Sequence, residues 1–313
     1  MSVVVPVYNE ADNIDPLADA VAEVLEGTAL ELIFVDDGSE DGTFERIERL
    51  AARDAAVCGV SLSRNFGHQY ALAAGLRFAK GDVVITMDGD MQHPPALIPA
   101  LIDKWRQGYN VVQTRRRDEA KAPFLKRLTS RVFYRVFSAL SGIRIDPGMS
   151  DFRLLDRGIV DELRAMHEGQ LFLRGLIAWM GYRKAVVPFE AEARYSGRPK
   201  YGARKMLGLA KSGMLSFSTV PLRIATVLGL IMALLSLAEL LYVLVVYLMG
   251  RTQPGWASIV AVMSFLFGVL FLLIGLQGEY ILRIYERVQH RPQFLIERVV
   301  GRDADADGDP EAK

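Results

Sequence analysis

Apolar and polar positions follow two different periods along the first part of the chain. Short apolar runs rich in β-branched residues are each followed by a stretch whose apolar residues recur at helical spacing. This alternation of strands and helices favours an α/β fold, a mostly parallel sheet flanked by helices. The predicted strands are Ser2–Val7, Leu30–Val35, Val57–Leu62, Val83–Met87 and Asn110–Gln113, and the predicted helices are Asp15–Leu25, Gly42–Ala52, His68–Ala79 and Pro95–Gln107.

The pattern becomes less regular in the middle of the chain. A helical, basic stretch is followed by a short predicted strand, a mostly helical region, a further predicted strand and a polar loop rich in Gly and Pro. These segments predict that the same domain continues to about residue 200. In the same order they are Lys121–Gly142, Phe152–Leu155, Asp156–Met180, Arg183–Phe189 and Tyr195–Tyr201.

Two long apolar stretches then follow, Ile224–Met249 and Ala257–Leu276. Each is long enough to cross the hydrocarbon core of a bilayer, which takes about 20 residues. The connector Gly250–Trp256 is short and contains Pro254, so the two stretches predict a two-helix transmembrane hairpin. A helical hairpin buried in a soluble core is the alternative, but core helices are usually shorter.

Basic residues are distributed unevenly around the predicted hairpin, since the connector carries only Arg251. Basic residues near membrane spans mark the cytoplasmic side, so both flanks and the α/β domain are predicted to be cytoplasmic. The flanking basic residues are Lys200, Arg204, Lys205, Lys211 and Arg223 before the hairpin and Arg283, Arg287 and Arg291 after it.

An amphipathic helix is predicted just before the first span. Leu207, Ala210, Met214 and Phe217 recur at helical spacing among basic residues. The pattern suits a juxtamembrane helix in the headgroup layer, and an ordinary core helix is the alternative. The predicted organisation is therefore a catalytic domain (1–200), an interfacial helix (201–222), two spans (about 224–249 and 257–279, within 223–281) and a cytoplasmic C-terminal tail (282–313).

Composition narrows the class of protein. Hydrophobic residues make up 51% of the chain, more than a solvated domain usually contains. The formal net charge is zero, so no overall field favours a nucleic-acid partner, and none is expected. Cys58 is the only cysteine and excludes an intrachain disulfide.

Acidic side chains come directly after the fourth predicted strand. Asp88 and Asp90 flank Gly89, and Gln92 follows two residues later. Oxygen ligands of this kind can share Mg²⁺ or Mn²⁺ with the phosphates of a substrate. An Asp-Gly-Asp turn is more often a solvated loop, so the motif alone is weak.

Two further polar segments follow predicted strands at the sheet edge where ligands bind in open α/β sheets. Asp36 and Asp37 end the second strand, and such carboxylates can accept from a base N–H or a ribose hydroxyl. The segment from Pro6 to Glu10 closes the first strand, where Tyr8 could stack on a base and Glu10 could hydrogen-bond to it.

These three motifs in this order resemble the GT-A fold of the inverting glycosyltransferase family two. Four further segments resemble its polyprenyl-phosphate branch, which includes dolichol-phosphate mannose synthases and bacterial undecaprenyl-phosphate glucosyltransferases. The resemblance extends over nearly the whole chain and is closest to bacterial members with two spans. The four segments are Arg64-Asn65-Phe66-Gly67-His68, Asp151-Phe152-Arg153-Leu154, Phe172-Leu173-Arg174-Gly175 and Pro221-Leu222-Arg223.

The resemblance implies transfer of a hexose, glucose or mannose, from a UDP- or GDP-sugar to polyprenyl phosphate at a bacterial inner or plasma membrane. It also implies roles for individual residues. Those of the nucleotide-sugar site would be Pro6, Tyr8, Asn9, Glu10, Asp36, Asp37, Asp88, Gly89 and Arg115. Those of the other sites would be Asp88, Asp90 and Gln92 for a divalent metal, Arg194 and Lys200 for the diphosphate leaving group, and Lys126, Ser130 and Arg131 for the lipid phosphate.

Several alternatives remain open at this stage. Asp151 could orient the acceptor, act as a base, or be a helix-cap or loop carboxylate. A processive polysaccharide synthase would carry Gln-x-x-Arg-Trp, whereas Gln170 and Arg174 are four apart and Gly175 follows. A non-catalytic membrane scaffold or lipid-transport subunit with a degenerate transferase domain is the rival from another class. A homo-oligomer formed through the membrane helices is a further hypothesis.

Overall fold

The computed structural model describes residues 1–116, 149–166, 172–190, 220–249, 255–289 and 292–301. The chain forms two compact units, of which the first contains the sheet and the second contains two long helices. Several predicted segments lie outside the described residues: the basic stretch Lys121–Gly142, the loop Tyr195–Tyr201, the amphipathic stretch 202–217 and the last residues from Arg302.

The first unit is built on an eight-stranded sheet. In sheet order the strands are β7, β5, β6, β4, β1, β2, β3 and β8, and all run in one direction except β6 and β8. The predicted mostly parallel sheet is therefore confirmed. Its strands are β1 (Ser2–Val7), β2 (Glu31–Asp36), β3 (Val57–Leu62), β4 (Val83–Thr86), β5 (Val111–Arg116), β6 (Met149–Asp156), β7 (Lys184–Phe189) and β8 (Ile296–Gly301).

Helices connect most of these strands and cover the sheet. The predicted first four helices are confirmed to within a residue or two, except that the last begins as a short 3-10 turn at Pro95–Leu97. The region predicted as mostly helical contains two helices. The helices of this unit within the described residues are α1 (Ile14–Val24), α2 (Thr43–Ala51), α3 (His68–Phe78), α4 (Ile98–Arg106), α5 (Arg157–Ala165) and α6 (Leu173–Trp179).

Burial of the central strands explains their sequence. All six residues of β1 are buried, and Val3, Val5 and Val7 belong to the main hydrophobic core. A strand covered on both faces reads as a continuous apolar run rather than an alternating one. The sheet centre is therefore fixed by hydrophobic burial, and its strand ends are free to carry polar residues.

Strand β8 was not predicted. It pairs antiparallel with β3, and the Ser63 main-chain N–H donates to the Leu295 carbonyl oxygen at 3.0 Å. The Arg298 guanidinium stacks on the Phe44 ring at 4.7 Å, and that of Arg77 on the Phe294 ring at 4.8 Å. The segment after the second long helix is therefore an edge strand of the same sheet as β1.

The second unit contains α7 (Val220–Leu248), which covers the first predicted span except for Met249, and α8 (Trp256–Val288), which covers the second and extends beyond it at both ends. Large apolar side chains on both helices are exposed, among them Leu230 and Phe271. Within the described residues, one stretch, Phe265–Leu282 of α8, is long and apolar enough to cross a membrane, with a mean hydropathy of 1.9.

Candidate active site

Three polar segments lie at one edge of the sheet. They follow β1, β2 and β4, which are adjacent and parallel, so their carboxyl ends meet. In open α/β sheets this edge is the usual place for a ligand. The topology thus brings together the candidate residues that the sequence placed at strand ends.

The segments after β1 and β2 are hydrogen-bonded to each other. The Asn9 main-chain N–H donates to Ser39 Oγ at 2.8 Å, and the Glu40 N–H donates to Asn9 Oδ1 at 3.0 Å. The Glu10 N–H donates to Thr43 Oγ1 at 3.0 Å. Asn9 has a φ of 53°, a left-handed conformation that asparagine tolerates better than most residues. The two predicted nucleotide segments therefore form one structure.

The other candidates of the first segment differ in accessibility. Pro6 is buried within β1, opposite Val35 of β2. Tyr8 and Glu10 are partly exposed, and Glu10 Oε2 accepts a hydrogen bond from Asn13 Nδ2 at 2.6 Å. Tyr8 and Glu10 are thus accessible to a ligand, whereas Pro6 shapes the strand.

Asp36 and Asp37 are buried, and both accept hydrogen bonds from the protein. Asp36 accepts from the Ser39 main-chain N–H and hydroxyl. Asp37 accepts from the main-chain N–H groups of Phe66 at 2.8 Å and Gly67 at 2.9 Å. Burial raises the pKa of both carboxyls, and these hydrogen bonds oppose the rise. Their main visible role is to hold the turn and the loop before α3.

The Asp88-Gly89-Asp90 turn packs against the end of β1. A Cβ atom on Gly89 would lie 2.6 Å from Val7 Cγ1, so a side chain there would force a displacement. Asp90 Oδ1 accepts from the Gln92 main-chain N–H at 3.2 Å. Met91 between them has a φ of 60°, which is uncommon for a residue other than glycine and is found disproportionately at functional sites.

His93 holds the Asp88-Gly89-Asp90 turn by a hydrogen bond to its main chain. Its Nδ1 accepts from the Asp88 main-chain N–H at 3.0 Å, so the ring hydrogen is on Nε2, which lies 2.6 Å from Ser150 Oγ. Burial lowers the pKa of His93 and keeps the ring neutral. The ring also stacks on Phe152 with centroids 5.2 Å apart. His93 therefore shapes this turn.

Asp151 on β6 is buried between two guanidinium groups. Arg174 of α6 donates through Nε to Oδ1 at 2.9 Å and through Nη2 to Oδ2 at 2.7 Å, and Arg153 Nη2 also bonds to Oδ1. Burial alone would raise the pKa of Asp151, but Arg174 and Arg153 outweigh it and hold the pKa well below its usual range. A carboxylate so stabilised is a weak base. Of the roles left open, the geometry therefore favours positioning over proton removal.

His68, the first residue of α3, lies between two of these carboxylates. Its Nε2 is 3.4 Å from Asp88 Oδ1 and 3.5 Å from Asp151 Oδ2. Burial opposes protonation of the ring, but Asp151 and Asp88 together outweigh it and raise the pKa of His68. His68 thus joins the turn after β4 to the buried ion pairs on β6.

The end of β5 adds arginine to this edge. Arg115 is exposed, as a residue contacting a donor would be. Its neighbour Arg116 donates through Nη2 to Gln92 Oε1 at 2.5 Å. The amide oxygen proposed from the sequence as a metal ligand is therefore engaged by Arg116 in this structure.

The acidic residues fit a cation shared with a phosphorylated substrate. Asp88 Oδ1 is buried and has no hydrogen-bond partner within the described ranges. In that part of the chain, no group of three or more His, Cys, Asp or Glu side chains could hold a metal by itself. Mg²⁺ usually binds one or two carboxylates plus substrate phosphates. Asp88 and Asp90 match this requirement.

Some residues of the site were not predicted from the sequence, and some predicted residues lie outside the described part of the chain. His68, Arg174 and Arg116 had no assigned role. The alternation Asp151-x-Arg153 on one strand face was the available signal for the ion pair. The candidates that lie outside the described residues are Lys126, Ser130, Arg131, Arg194 and Lys200.

Comparison with known proteins gives consistent results. Residues 2–164 match the family described as glycosyl transferase family 2. An uncharacterized glycosyltransferase of Synechocystis sp. is 40% identical over 304 residues, 96% of this chain and 96% of that protein. A prophage bactoprenol glucosyl transferase homolog of Escherichia coli is 37% identical over 302 residues, 96% of this chain and 99% of that protein.

Among solved structures, glucosyl-3-phosphoglycerate synthase from Mycobacterium tuberculosis, in complex with Mn²⁺, UDP and glucosyl-3-phosphoglycerate, is similar. The TM-score is 0.47 at 23% identity, over 69% of this chain and 79% of that chain. At this distance the likeness carries no argument about the site.

Proposed function

The chain belongs to glycosyl transferase family 2, and we propose that this glycosyltransferase moves a hexose from a nucleotide-sugar to polyprenyl phosphate. Glucose from UDP-glucose is the favoured sugar, because full-length relatives are named bactoprenol glucosyl transferases. The structural observation that carries the proposal is the meeting of Asp88, His68 and Asp151 at the sheet edge. The non-catalytic scaffold and the homo-oligomer have no support in these findings.

The arrangement suits a reaction whose difficulty lies in leaving-group charge and alignment. An acceptor phosphate is already anionic near neutral pH, so a strong base is not required, and the lowered pKa of Asp151 agrees with that. A divalent cation at Asp88 and Asp90 would supply charge stabilisation to the departing diphosphate. Arg194 and Lys200 are proposed to add positive charge to the same group.

The residues at the carboxyl ends of the strands suggest where the nucleotide and its sugar bind. Tyr8, Asn9 and Glu10 are proposed to face the nucleotide together with Asp36 and Asp37, and Arg115 is proposed to face its sugar. Asp151 is proposed to orient the reacting groups, since its two arginine partners hold it in one place. Holding both substrates in line removes much of the entropic barrier to a two-substrate reaction.

We also propose that α7 and α8 form a transmembrane hairpin in a bacterial inner membrane. Helices of 29 and 33 residues exceed the roughly 20 residues that a span requires, and their exposed apolar side chains need a covering. Strand β8, which follows the helices, pairs with β3, which precedes them. Both flanks of the helices therefore belong on one side of a membrane, which requires an even number of crossings.

The topology gives a testable expectation. A reporter fused after Lys313 should behave as cytoplasmic, and one inserted near Gln253 should behave as external, since the basic flanks favour the cytoplasmic side for the sheet. Activity of paired cytoplasmic and periplasmic reporters in intact cells is the measurement. An external C-terminus would contradict both the hairpin and its orientation.

The lipid-phosphate residues can be tested separately from the donor site. Lys126→Ala and Arg131→Ala should raise the KM for polyprenyl phosphate several-fold more than the KM for the nucleotide-sugar, because each removes a cation proposed to meet the lipid phosphate. Arg127→Ala removes the same charge from a neighbouring position and is the matched control. Equal effects on the two substrates, or equal effects of all three variants, would count against the assignment.

The donor is tested by a screen of labelled nucleotide-sugars. Purified full chain in detergent is incubated with polyprenyl phosphate, Mn²⁺ and each labelled donor in turn, and label in the organic phase is counted. UDP-glucose should give the highest rate. A clear preference for a GDP-sugar or for a sugar other than glucose would change the proposed substrate but not the reaction class.

A further inference from the structure

His68 is in contact with two carboxylates that come from different strands. Asp88 belongs to the turn after β4, and Asp151 belongs to β6. The imidazole Nε2 is within ion-pairing distance of both. The Asp88 oxygen that it approaches is the one that is buried without a hydrogen-bond partner in the described part of the chain. The imidazole Nε2 therefore faces, at 3.4 Å, an Asp88 oxygen that accepts no hydrogen bond within the described residues.

The position of His68 is fixed by the main chain before it. Asp37 accepts from the N–H groups of Phe66 and Gly67, which directly precede the first residue of α3. Gly67 has a φ of 110°, a conformation that residues with a side chain rarely adopt, so the approach to the helix depends on glycine there. His68 is thus held from the end of β2.

The other side of the imidazole faces a carboxylate that is fixed in place. Arg174 holds Asp151 by two hydrogen bonds, and the exposed fraction of the Asp151 side chain is only 7%. Because Asp151 is held in one orientation, it can in turn fix the orientation of the His68 imidazole. Asp151 Oδ2, which faces His68, also accepts a hydrogen bond from Arg174, whereas Asp88 Oδ1 accepts none within the described residues.

We propose that His68 is a positioning residue that holds the Asp88 carboxylate in the orientation required by the divalent cation and ties it to Asp151. The inference rests on the proposed role of Asp88 as a metal ligand. Groups that hydrogen-bond to a metal ligand fix its orientation, and their loss typically weakens metal affinity or activity by about 10- to 100-fold. Replacing His68 should therefore lower the affinity for the divalent cation, an effect that can be measured separately from turnover.

The test measures Mn²⁺ binding to the full chain in detergent with UDP present, by the electron paramagnetic resonance signal of free Mn²⁺. His68→Phe keeps a ring but removes the donor, and should weaken Mn²⁺ binding by about tenfold or more. His68→Gln places an amide N–H at similar reach and should recover most of the affinity. Turnover should follow the same order, with a smaller change in the KM for the nucleotide-sugar.

Gln69→Leu is the matched control, because Gln69 is the next residue on α3 and accepts from the Leu173 N–H at 3.2 Å without contacting either carboxylate. It should bind Mn²⁺ as the unmodified chain does. His68→Ala removes the donor without adding bulk and replaces His68→Phe if that variant does not fold.

Two results would overturn the inference in distinguishable ways. If Asp90→Asn loses Mn²⁺ affinity while His68→Phe and His68→Ala keep it, the metal site stands and His68 has no part in it. If the unmodified chain and Asp90→Asn bind Mn²⁺ equally, the proposed metal site is wrong and the inference falls with it.

Discussion

Asp90→Asn is expected to lower turnover by a hundredfold or more while leaving the fold intact. Stabilisation of leaving-group charge by a metal is worth several kcal/mol, and each 1.36 kcal/mol is about tenfold in rate. Asparagine keeps an oxygen that can accept from the Gln92 N–H, as Asp90 Oδ1 does, so the turn should persist. Activity of the unmodified enzyme should also vanish with a chelator and return with Mg²⁺ or Mn²⁺.

The measurement is turnover of Asp90→Asn at saturating Mn²⁺ together with its melting temperature. Asp82→Asn is a matched control, since Asp82 is an exposed carboxylate just before the other end of β4. It should retain normal turnover. A well-folded Asp90→Asn enzyme with near-normal, chelator-resistant turnover would show that the Asp-Gly-Asp segment is only a turn.

Asp151→Asn is expected to destabilise the first unit strongly. The substitution leaves the buried guanidinium of Arg153 and its neighbour Arg174 without their carboxylate. Removing one partner of a buried ion pair typically costs about 3–5 kcal/mol. For a domain of this size that corresponds to a fall in melting temperature of roughly 6–20 °C. Thermal unfolding of the full chain in detergent measures it.

The pH dependence of that loss follows from the direction of the pKa shift. The folded-state pKa of Asp151 is well below the ordinary 3.8, so the ionised carboxylate stabilises the fold above 3.8 and this contribution is lost as pH falls towards the folded value. The gap in melting temperature between the unmodified chain and Asp151→Asn should therefore be constant from neutral to mildly acidic pH and shrink below that.

An exposed carboxylate serves as the comparison for Asp151. Asp161 is about half exposed and pairs with Arg157 and Arg164 on α5 at 3.4 Å. Exposed ion pairs contribute at most about 1 kcal/mol, so Asp161→Asn should change the melting temperature little. Equal losses for Asp151→Asn and Asp161→Asn would mean that the buried ion pairs do not stabilise the fold.

The sequence was sufficient to predict the sheet apart from its edge strand β8. Strands such as β1 are continuous apolar runs. A strand covered on both faces of a sheet removes all of this apolar surface from water, so the run itself indicates a central strand. Strand β8 is mostly exposed and pairs with β3 from far along the chain. Its apolar signal is weak, and nothing local in the sequence specifies such a distant partner.

The candidate site was predictable where it depends on strand ends and was missed where it depends on packing. Asp88 and Asp90 were found because a motif after a parallel strand lies at the ligand edge. His68 was missed because a single histidine at a helix start has no pattern, and its partners Asp88 and Asp151 come from two other elements. Only the strand order, with β6 inserted between β4 and β5, brings these residues together.

The central claim, transfer to a lipid phosphate, is tested most directly by comparing two acceptors of the same chain length, polyprenyl phosphate and polyprenol. Purified full chain is supplied with labelled UDP-glucose and Mn²⁺, and the organic-phase product is identified by mass spectrometry. We expect a hexose-bearing polyprenyl phosphate from the first acceptor and no product from the second. Equal glucosylation of both, or no lipid product from any nucleotide-sugar, would contradict the account.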